Sequence, residues 1–220
     1  MGFDWYVLVK YYPMLLEGFY LTLLFTMIGL ITSLSFGIFV AMVQSLKIPV
    51  VEKIIDCYIA VGRETPLLVQ LFFVFHGFPV LTGLLLSAPQ AGIIAITFNE
   101  GAFIAEIIRG GVQGVAKGQW DASKAVAMSN IQCLRYVIFP QGIRKVVPSL
   151  IGHSSFLLKD TALLSLIAIE ELTSVAYYIN YQTMSSTTVF GAVGVIYLAT
   201  FWAMNGVGLF FEKRLQTETN

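Results

Sequence analysis

The sequence predicts an all-α integral membrane protein with about five membrane-spanning helices. Three observations predict it. Of the 220 residues, 57% are hydrophobic and only 12% are charged, too few charges to cover the surface of a soluble domain of this size. The charges fall in a few clusters, separated by apolar runs long enough for the ~20 residues that a helix needs to cross a bilayer. Lys and Arg concentrate in alternate segments between those runs, which is the asymmetry that orients membrane proteins. The formal net charge is zero, which gives no basis for a nucleic-acid partner.

The elements follow in order. No secretory signal peptide is expected, because Asp4, Lys10 and Pro13 stand among aromatic residues in place of a basic start, an apolar core and a small-residue cleavage site. Trp5, Tyr6, Tyr11 and Tyr12 read as an interfacial segment, where amphipathic rings favour the headgroup level. The first span covers residues 15–43 and has no charge after Glu17. Its Gly29, Ser33, Gly37 and Ala41 share a helix face and admit a close neighbour, either within the chain, the simpler reading, or from a second subunit. The second span covers 57–81, and Pro66 is expected to kink it or to mark its true start. The third covers 88–108, the fourth 146–169 and the fifth 187–211. No repeat, low-complexity tract or second domain is visible, so residues 1–220 read as a single transmembrane domain.

Orientation follows from the cations. Lys47 and Lys53 lie between spans one and two. Arg109, Lys117, Lys124, Arg135, Arg144 and Lys145 lie between spans three and four, and Lys213 and Arg214 follow span five. The alternate segments 83–87 and 170–186 contain neither Lys nor Arg, and Glu170 and Glu171 add negative charge to the second of them. The N-terminus is therefore expected outside and the C-terminus in the cytoplasm.

The inner loop 110–145 is far longer than an ordinary helix connection. Asp121–Met128 reads as a short helix rich in small residues. Ser129 followed by Gln132 has capping-box form and starts a second helix, which Pro140 is expected to end or kink. Asp121 lies near the start of its helix, where a carboxylate suits the dipole. Together the two helices make an ordered knob able to pass on force.

These residues carry a resemblance. Asp121-Ala122-Ser123-Lys124-Ala125-Val126-Ala127-Met128-Ser129, followed by Val137-Ile138-Phe139-Pro140-Gln141, resembles the EAA loop of bacterial ABC importer permeases. The family pattern is Glu-Ala-Ala, three residues, Gly, then nine residues and Ile-x-Leu-Pro. Asp121, Ser123 and Ala127 depart from it, and alanine at 127 counts against a left-handed backbone there. Gly62-Arg63-Glu64-Thr65-Pro66-Leu67-Leu68-Val69-Gln70-Leu71, Phe103-Ile104-Ala105-Glu106-Ile107-Ile108-Arg109-Gly110-Gly111, Lys117-Gly118-Gln119-Trp120 and Leu158-Lys159-Asp160-Thr161-Ala162-Leu163 look like further segments of the polar amino acid subfamily, of histidine, glutamine and arginine type. The resemblance implies a type I ABC importer permease fold with a cytoplasmic coupling helix, in which Asp121, Ala122, Ser123, Ala127 and Met128 meet the motor. It implies cytoplasmic ATP-binding subunits that carry ATP-Mg, a second permease subunit, identical or homologous, an extracytoplasmic amino acid-binding protein, and residence in the bacterial plasma (inner) membrane among its lipids. The chain has no Gly-x-x-x-x-Gly-Lys-Ser/Thr phosphate loop, so ATP hydrolysis by that route is left to another chain.

Ionisable and polar groups inside spans mark candidates for the substrate path. Lys159 and Asp160 lie near the middle of span four, and an amino acid's carboxylate and ammonium suit them respectively. Thr161 adjoins them. His153 is seven residues before Asp160, on the same helical face, and suits an acidic or amide side chain. Gln70 and Glu100 are further candidates, although bonding between helices explains them equally well. Glu106 and Arg109 read as a local i,i+3 ion pair. A secondary transporter or channel without a motor is the alternative, but it leaves the ordered loop without a purpose. A membrane enzyme is disfavoured: no nucleophile elbow, no catalytic carboxylate pair and no metal-ligand spacing is present, and Cys57 and Cys133 are far apart in sequence and read as plain thiols.

Overall fold

The computed structural model describes residues 3–217, and side chains as far as residue 210. The side chains of Lys213 and Arg214, used above for orientation, lie outside the described residues. Every described element is helical. In chain order they are α1 (Trp5–Gln44), α2 (Pro49–Glu64), α3 (Leu67–Thr82), α4 (Ala88–Gln113), α5 (Lys117–Ala125), α6 (Asn130–Ile167), α7 (Leu172–Thr183) and α8 (Ser186–Thr217). Helices α1, α4, α6 and α8 are long and apolar enough to cross a membrane, and α2 with α3 forms a bent pair that makes a fifth candidate.

The expected second span, 57–81, is broken at Pro66, where a kink or the true start was expected. Proline disfavours helical angles in the residue before it, and Thr65 is extended at φ −101°, ψ 140°. Helix α2 stops at Glu64 and α3 starts at Leu67. Helix α2 is amphipathic, with Ile55, Ile59 and Gly62 buried along one face. The aromatic N-terminal segment is also not separate from the first span, since α1 runs unbroken from Trp5 through Pro13.

Pro140 does not end its helix. Phe73–Gly77 in α3 and Leu134–Ile138 in α6 are π turns, and each lies immediately before a Phe-Pro pair, Phe78-Pro79 and Phe139-Pro140. Proline lacks the N–H for the usual bond and crowds the carbonyl four residues back. A widened turn is one of the identifiable ways a helix accommodates such a defect. Helix α6 consequently continues to Asp160 before tightening into a 3₁₀ stretch, Thr161–Ile167.

The chain divides into two compact units. Unit one takes the residues up to Leu30, Leu67–Ile96 and Ser154–Val207. One of its cores gathers Phe25, Leu71, Ile96, Leu157 and Leu164, and another gathers Leu15, Leu172, Ile179 and Val189. Unit two takes Ile31–Pro66, Thr97–His153 and the residues from Gly208. Its core gathers Val40, Ile59, Ile104, Ile108, Ile138 and Phe139. Asn99 Nδ2 donates to the Gly62 carbonyl at 2.8 Å, and the Tyr58 hydroxyl to that of Phe98, which tie α2 to α4.

The small-residue stripe of α1 packs inside the chain. In unit one, a Cβ on Gly29 would touch Ile96 and Leu157. In unit two, one on Gly37 would run into Ile104 and the Gly101 carbonyl, while Ser33 and Ala41 are buried.

Candidate coupling site and polar clusters

The knob between α4 and α6 belongs to unit two. Helix α5 begins at Lys117, four residues before Asp121, and ends at Ala125. Asp121 thus sits in the second turn and not at the start of the helix expected from sequence. Trp120 on this helix and Met128 just after it pack on the core of the unit. Ser123 is also turned inward: it is 4% exposed, and its hydroxyl donates to the Gln119 carbonyl at 2.7 Å. It faces its own chain and is unavailable to a partner. Asp121, Ala122, Ala125, Val126 and Ala127 are exposed, and Val126 is 68% exposed at the tip.

The end of α5 corrects a second expectation. Ala127 is left-handed, with φ +56°. Its N–H donates to the Lys124 carbonyl at 2.9 Å, and the Met128 N–H to that of Ser123 at 3.1 Å. This pair of bonds is a Schellman stop, which satisfies carbonyls at the helix end and is usually built on glycine. Alanine holds the same geometry at the steric cost of its Cβ. Two residues on, Ser129 and Gln132 form the complete capping box that starts α6. The stop is therefore fixed by backbone bonds and the start by side chains bonding to the backbone, and the ordered connection runs from Gly114 to Ser129, much shorter than the loop 110–145.

The base of the knob is clamped by residues that sequence reading passed over. A Cβ on Gly111 would collide with the Gly142 carbonyl, and one on Gly142 would press on Val112. Helices α4 and α6 cross there with backbones in contact. Lys145 Nζ donates to the Gly114 carbonyl at 2.6 Å, and Gln141 Nε2 to Gln119 Oε1 at 3.2 Å. The Gly110-Gly111 pair was the available signal, but its partner Gly142 lies thirty-one residues on, beyond any local pattern.

Unit two also carries a polar seam along α4. His153 Nε2 lies 2.8 Å from Glu100 Oε2, and Glu100 is 2% exposed. The His153 ring packs at 5.1 Å from that of Phe103. The Arg63 guanidinium lies over Phe103, and its Nη1 is 3.7 Å from Glu106. Arg109 grips Glu106 through two bonds of 2.7 and 2.5 Å. The anticipated Glu106–Arg109 pair is thus present and recruits Arg63.

The remaining path candidates belong to unit one. Asp160 is half-buried and is the last residue before the 3₁₀ stretch. It and Lys159 stand at a change of helix type, not in the middle of a regular span. Lys159 is exposed, and its ammonium lies 4.2 Å from the centre of the Phe156 ring and 5.3 Å from that of Phe201. Thr161 is fully buried and its hydroxyl is spent on the Leu158 carbonyl, which removes it as a direct ligand. Gln70 is buried on α3.

Residues 33–217 match the family described as binding-protein-dependent transport system inner membrane component. The chain belongs to this family. A probable amino-acid ABC transporter permease protein, PatM, of Vibrio harveyi is 32% identical over 98% of this chain and 97% of its own. A probable glutamine ABC transporter permease protein, GlnP, of Bacillus subtilis (strain 168) is 33% identical over 86% of this chain and 88% of its own. Among solved structures, that of an amino acid ABC transporter with histidines is 32% identical, with a TM-score of 0.88 over 97% of this chain and all of that one. The inward-facing MetNI methionine ABC transporter shares the fold at 18% identity, with a TM-score of 0.80 over 94% of this chain and 98% of its own.

For this inner membrane component, Ala127→Gly is expected to stabilise the knob. The substitution removes a left-handed strain of about 1–2 kcal/mol and returns part of it as unfolded-chain entropy, about 0.5–1 kcal/mol. The thermal midpoint of the purified chain should rise modestly, and a fall would show that the alanine is unstrained.

Proposed function

We propose that the chain is the membrane subunit of an ATP-driven importer for polar amino acids, with its knob as the coupling helix. The observation that carries the reading is the knob itself: a nine-residue helix bounded by a Schellman stop, a capping box and a glycine crossing, with Asp121, Ala122, Ala125 and Val126 turned outward. A rigid, exposed helix on a membrane-spanning bundle is suited to transmitting force from a moving partner.

On this reading ATP-Mg resides on separate cytoplasmic subunits, and this chain has no catalytic site of its own. A second permease chain completes the path, and an extracytoplasmic binding protein delivers the amino acid. The knob faces the cytoplasm, the N-terminus lies outside, and the chain spans the bacterial inner membrane several times. Asp160 is the group proposed to meet the substrate ammonium, and Gln70 is a polar lining candidate. His153, held against Glu100, is proposed as a specificity element favouring acidic or amide side chains. Lys159, cradled by two rings, supports the site through charge.

The test is affinity purification of the full chain from its native membrane, with assay of ATP hydrolysis in the eluate. Recovery of an ATPase supports the reading, and its absence overturns it. Asp160→Asn is expected to lower uptake by about ten- to a hundredfold, the loss of one charge-assisted contact, while ATPase recovery stays unchanged. Unaltered uptake would return Asp160 to a structural role.

A further inference from the structure

Arg63, in unit two, is a cation whose donors the chain leaves unspent. It is the penultimate residue of α2, and its side chain is 39% exposed. Among the described residues none accepts a hydrogen bond from its guanidinium. Its contacts are a Glu106 oxygen at 3.7 Å and the face of Phe103, 5.6 Å from the ring centre. Glu106 is already engaged, because Arg109 donates to both of its carboxylate oxygens. Glu64 adjoins Arg63, and adjacent helical residues do not face each other. Asp56 lies two turns back on α2 and is bonded by Gln44 at 2.7 Å. Two guanidinium groups thus share the Glu106 carboxylate, and the surplus positive charge falls at Arg63.

The backbone under Arg63 is held firmly. Pro66 cannot supply the N–H that would bond the Gly62 carbonyl in a continuing helix, and Asn99 Nδ2 of α4 takes that place at 2.8 Å. A Cβ on Gly62 would come within 2.6 Å of that of Ala102, so the residue before Arg63 sits directly on α4. The guanidinium is positioned over Phe103 with its N–H groups still available. The same ring packs against that of His153, 5.1 Å between centres. Helix α4, which carries Phe103 and Glu106, is long and apolar enough to cross a membrane. A cation beside such a span is costly, faces the bundle interior or a water-filled cavity, and marks a functional candidate. The planar fork of arginine matches a carboxylate through two parallel hydrogen bonds.

We propose that Arg63 receives the α-carboxylate of the transported amino acid through this two-bond contact. The unspent guanidinium is an observation on this chain alone, whereas an amino acid as its ligand rests on the proposed function. The α-carboxylate is common to all amino acids, so Arg63 recognises the class. His153 shares the Phe103 ring with it, which sets the residue proposed to choose among side chains beside the one that takes the carboxylate. The phosphate of a lipid headgroup is the competing anion. The place of Arg63 in the polar seam with Glu106 and His153 favours the carboxylate, and the experiment separates the two.

The test measures binding to the full chain by itself, so that no binding protein selects the ligand first. The purified chain in phosphatidylcholine nanodiscs is incubated with a radiolabelled mixture of the standard L-amino acids, and bound label is read by scintillation proximity. Unlabelled competitors are the same amino acids or their α-amides, which keep the ammonium and lack the carboxylate charge. The wild type should prefer the free acids by about tenfold or more, the worth of one charge-assisted contact. Arg63→Gln should weaken binding of the label by a similar factor and bring acids and amides level. Arg63→Lys should recover part of the preference through charge without the fork. A purely structural Arg63 would weaken both competitors together and leave their ratio unchanged, which overturns the proposal. Unaltered binding in Arg63→Gln, the result expected if the guanidinium meets a lipid phosphate, overturns it as well. If Arg63→Gln does not fold, Arg63→Lys decides: an intermediate ratio supports the proposal and the wild-type ratio overturns it. Equal competition by acids and amides in the wild type, or no bound label, also overturns it and leaves ATPase recovery from the native membrane intact. Failure to recover an ATPase would sink the proposed function and leave the acid-to-amide ratio standing.

Discussion

Replacing Glu171 with alanine is expected to destabilise unit one by about 3 kcal/mol, from a lost N-cap and hydroxyl groups left without their acceptor. Glu171 was expected to add negative charge on the outer side, and Glu170 is indeed exposed. Glu171, however, is 0% exposed. Its Oε1 accepts from the Ser174 N–H at 2.8 Å, which caps α7. Its Oε2 accepts from the Tyr197 hydroxyl at 2.8 Å and from Thr22 at 3.3 Å. Thr22 also accepts from the Leu172 N–H, and Thr173 meets the Tyr197 hydroxyl at 3.0 Å. One carboxylate thereby ties α1, α7 and α8 together. Glutamine should retain much of this, and thermal melts of the three proteins in detergent give the order wild type, Glu171→Gln, Glu171→Ala.

The same residue gives a pH dependence. Burial raises the Glu171 pKa above the ordinary carboxylate value, opposed by the hydrogen bonds it accepts. The folded state therefore holds this proton more tightly than the unfolded chain. The stabilisation from the protonated form is complete below the unfolded pKa and is lost as pH rises through the folded one. The melting midpoint should fall across that window in the wild type, and Glu171→Gln should remove this component. An unchanged slope in Glu171→Gln would assign the dependence to another group.

The second large effect concerns the knob. If the knob is the coupling helix as proposed, Ala122→Arg is expected to cost at least about 2 kcal/mol of affinity for the proposed ATPase partner, as at a central interface residue, and so to reduce ATP-driven uptake more than tenfold. Ala122 is exposed and arginine is a good helix former, so the melting midpoint should hold. Ser123→Ala should leave motor recovery unchanged, because its hydroxyl bonds within the chain. If Ser123→Ala abolishes recovery and Ala122→Arg does not, the outward face of α5 has been misassigned.

Much of the candidate site was legible in sequence. The EAA-like stretch located α5, Ser129 and Gln132 announced their box, and Glu106 with Arg109 announced their pair, because each depends on residues within one or two helical turns. Three things were not legible. Ser123 lies in the motif beside Ala122 but points inward, and only the packing of Trp120 and Met128 on the core sets that rotation. Glu171 draws its partners from residues about 150 positions earlier and 26 later. Arg63 takes its neighbours, Phe103 and Glu106, from another helix.

Composition and periodicity by themselves determined a helical membrane protein, since apolar runs of spanning length have few other stable forms where water is absent. The motif determined the family and the place of the knob. Only the tertiary structure decided that Ala127 takes a glycine's left-handed turn and that Pro140 is absorbed by a π turn, whereas the break at Pro66 was already legible. At Ala127 and Pro140 a local preference competes with packing and with the hydrogen bonds that fix the backbone, and the balance is struck only in the folded chain.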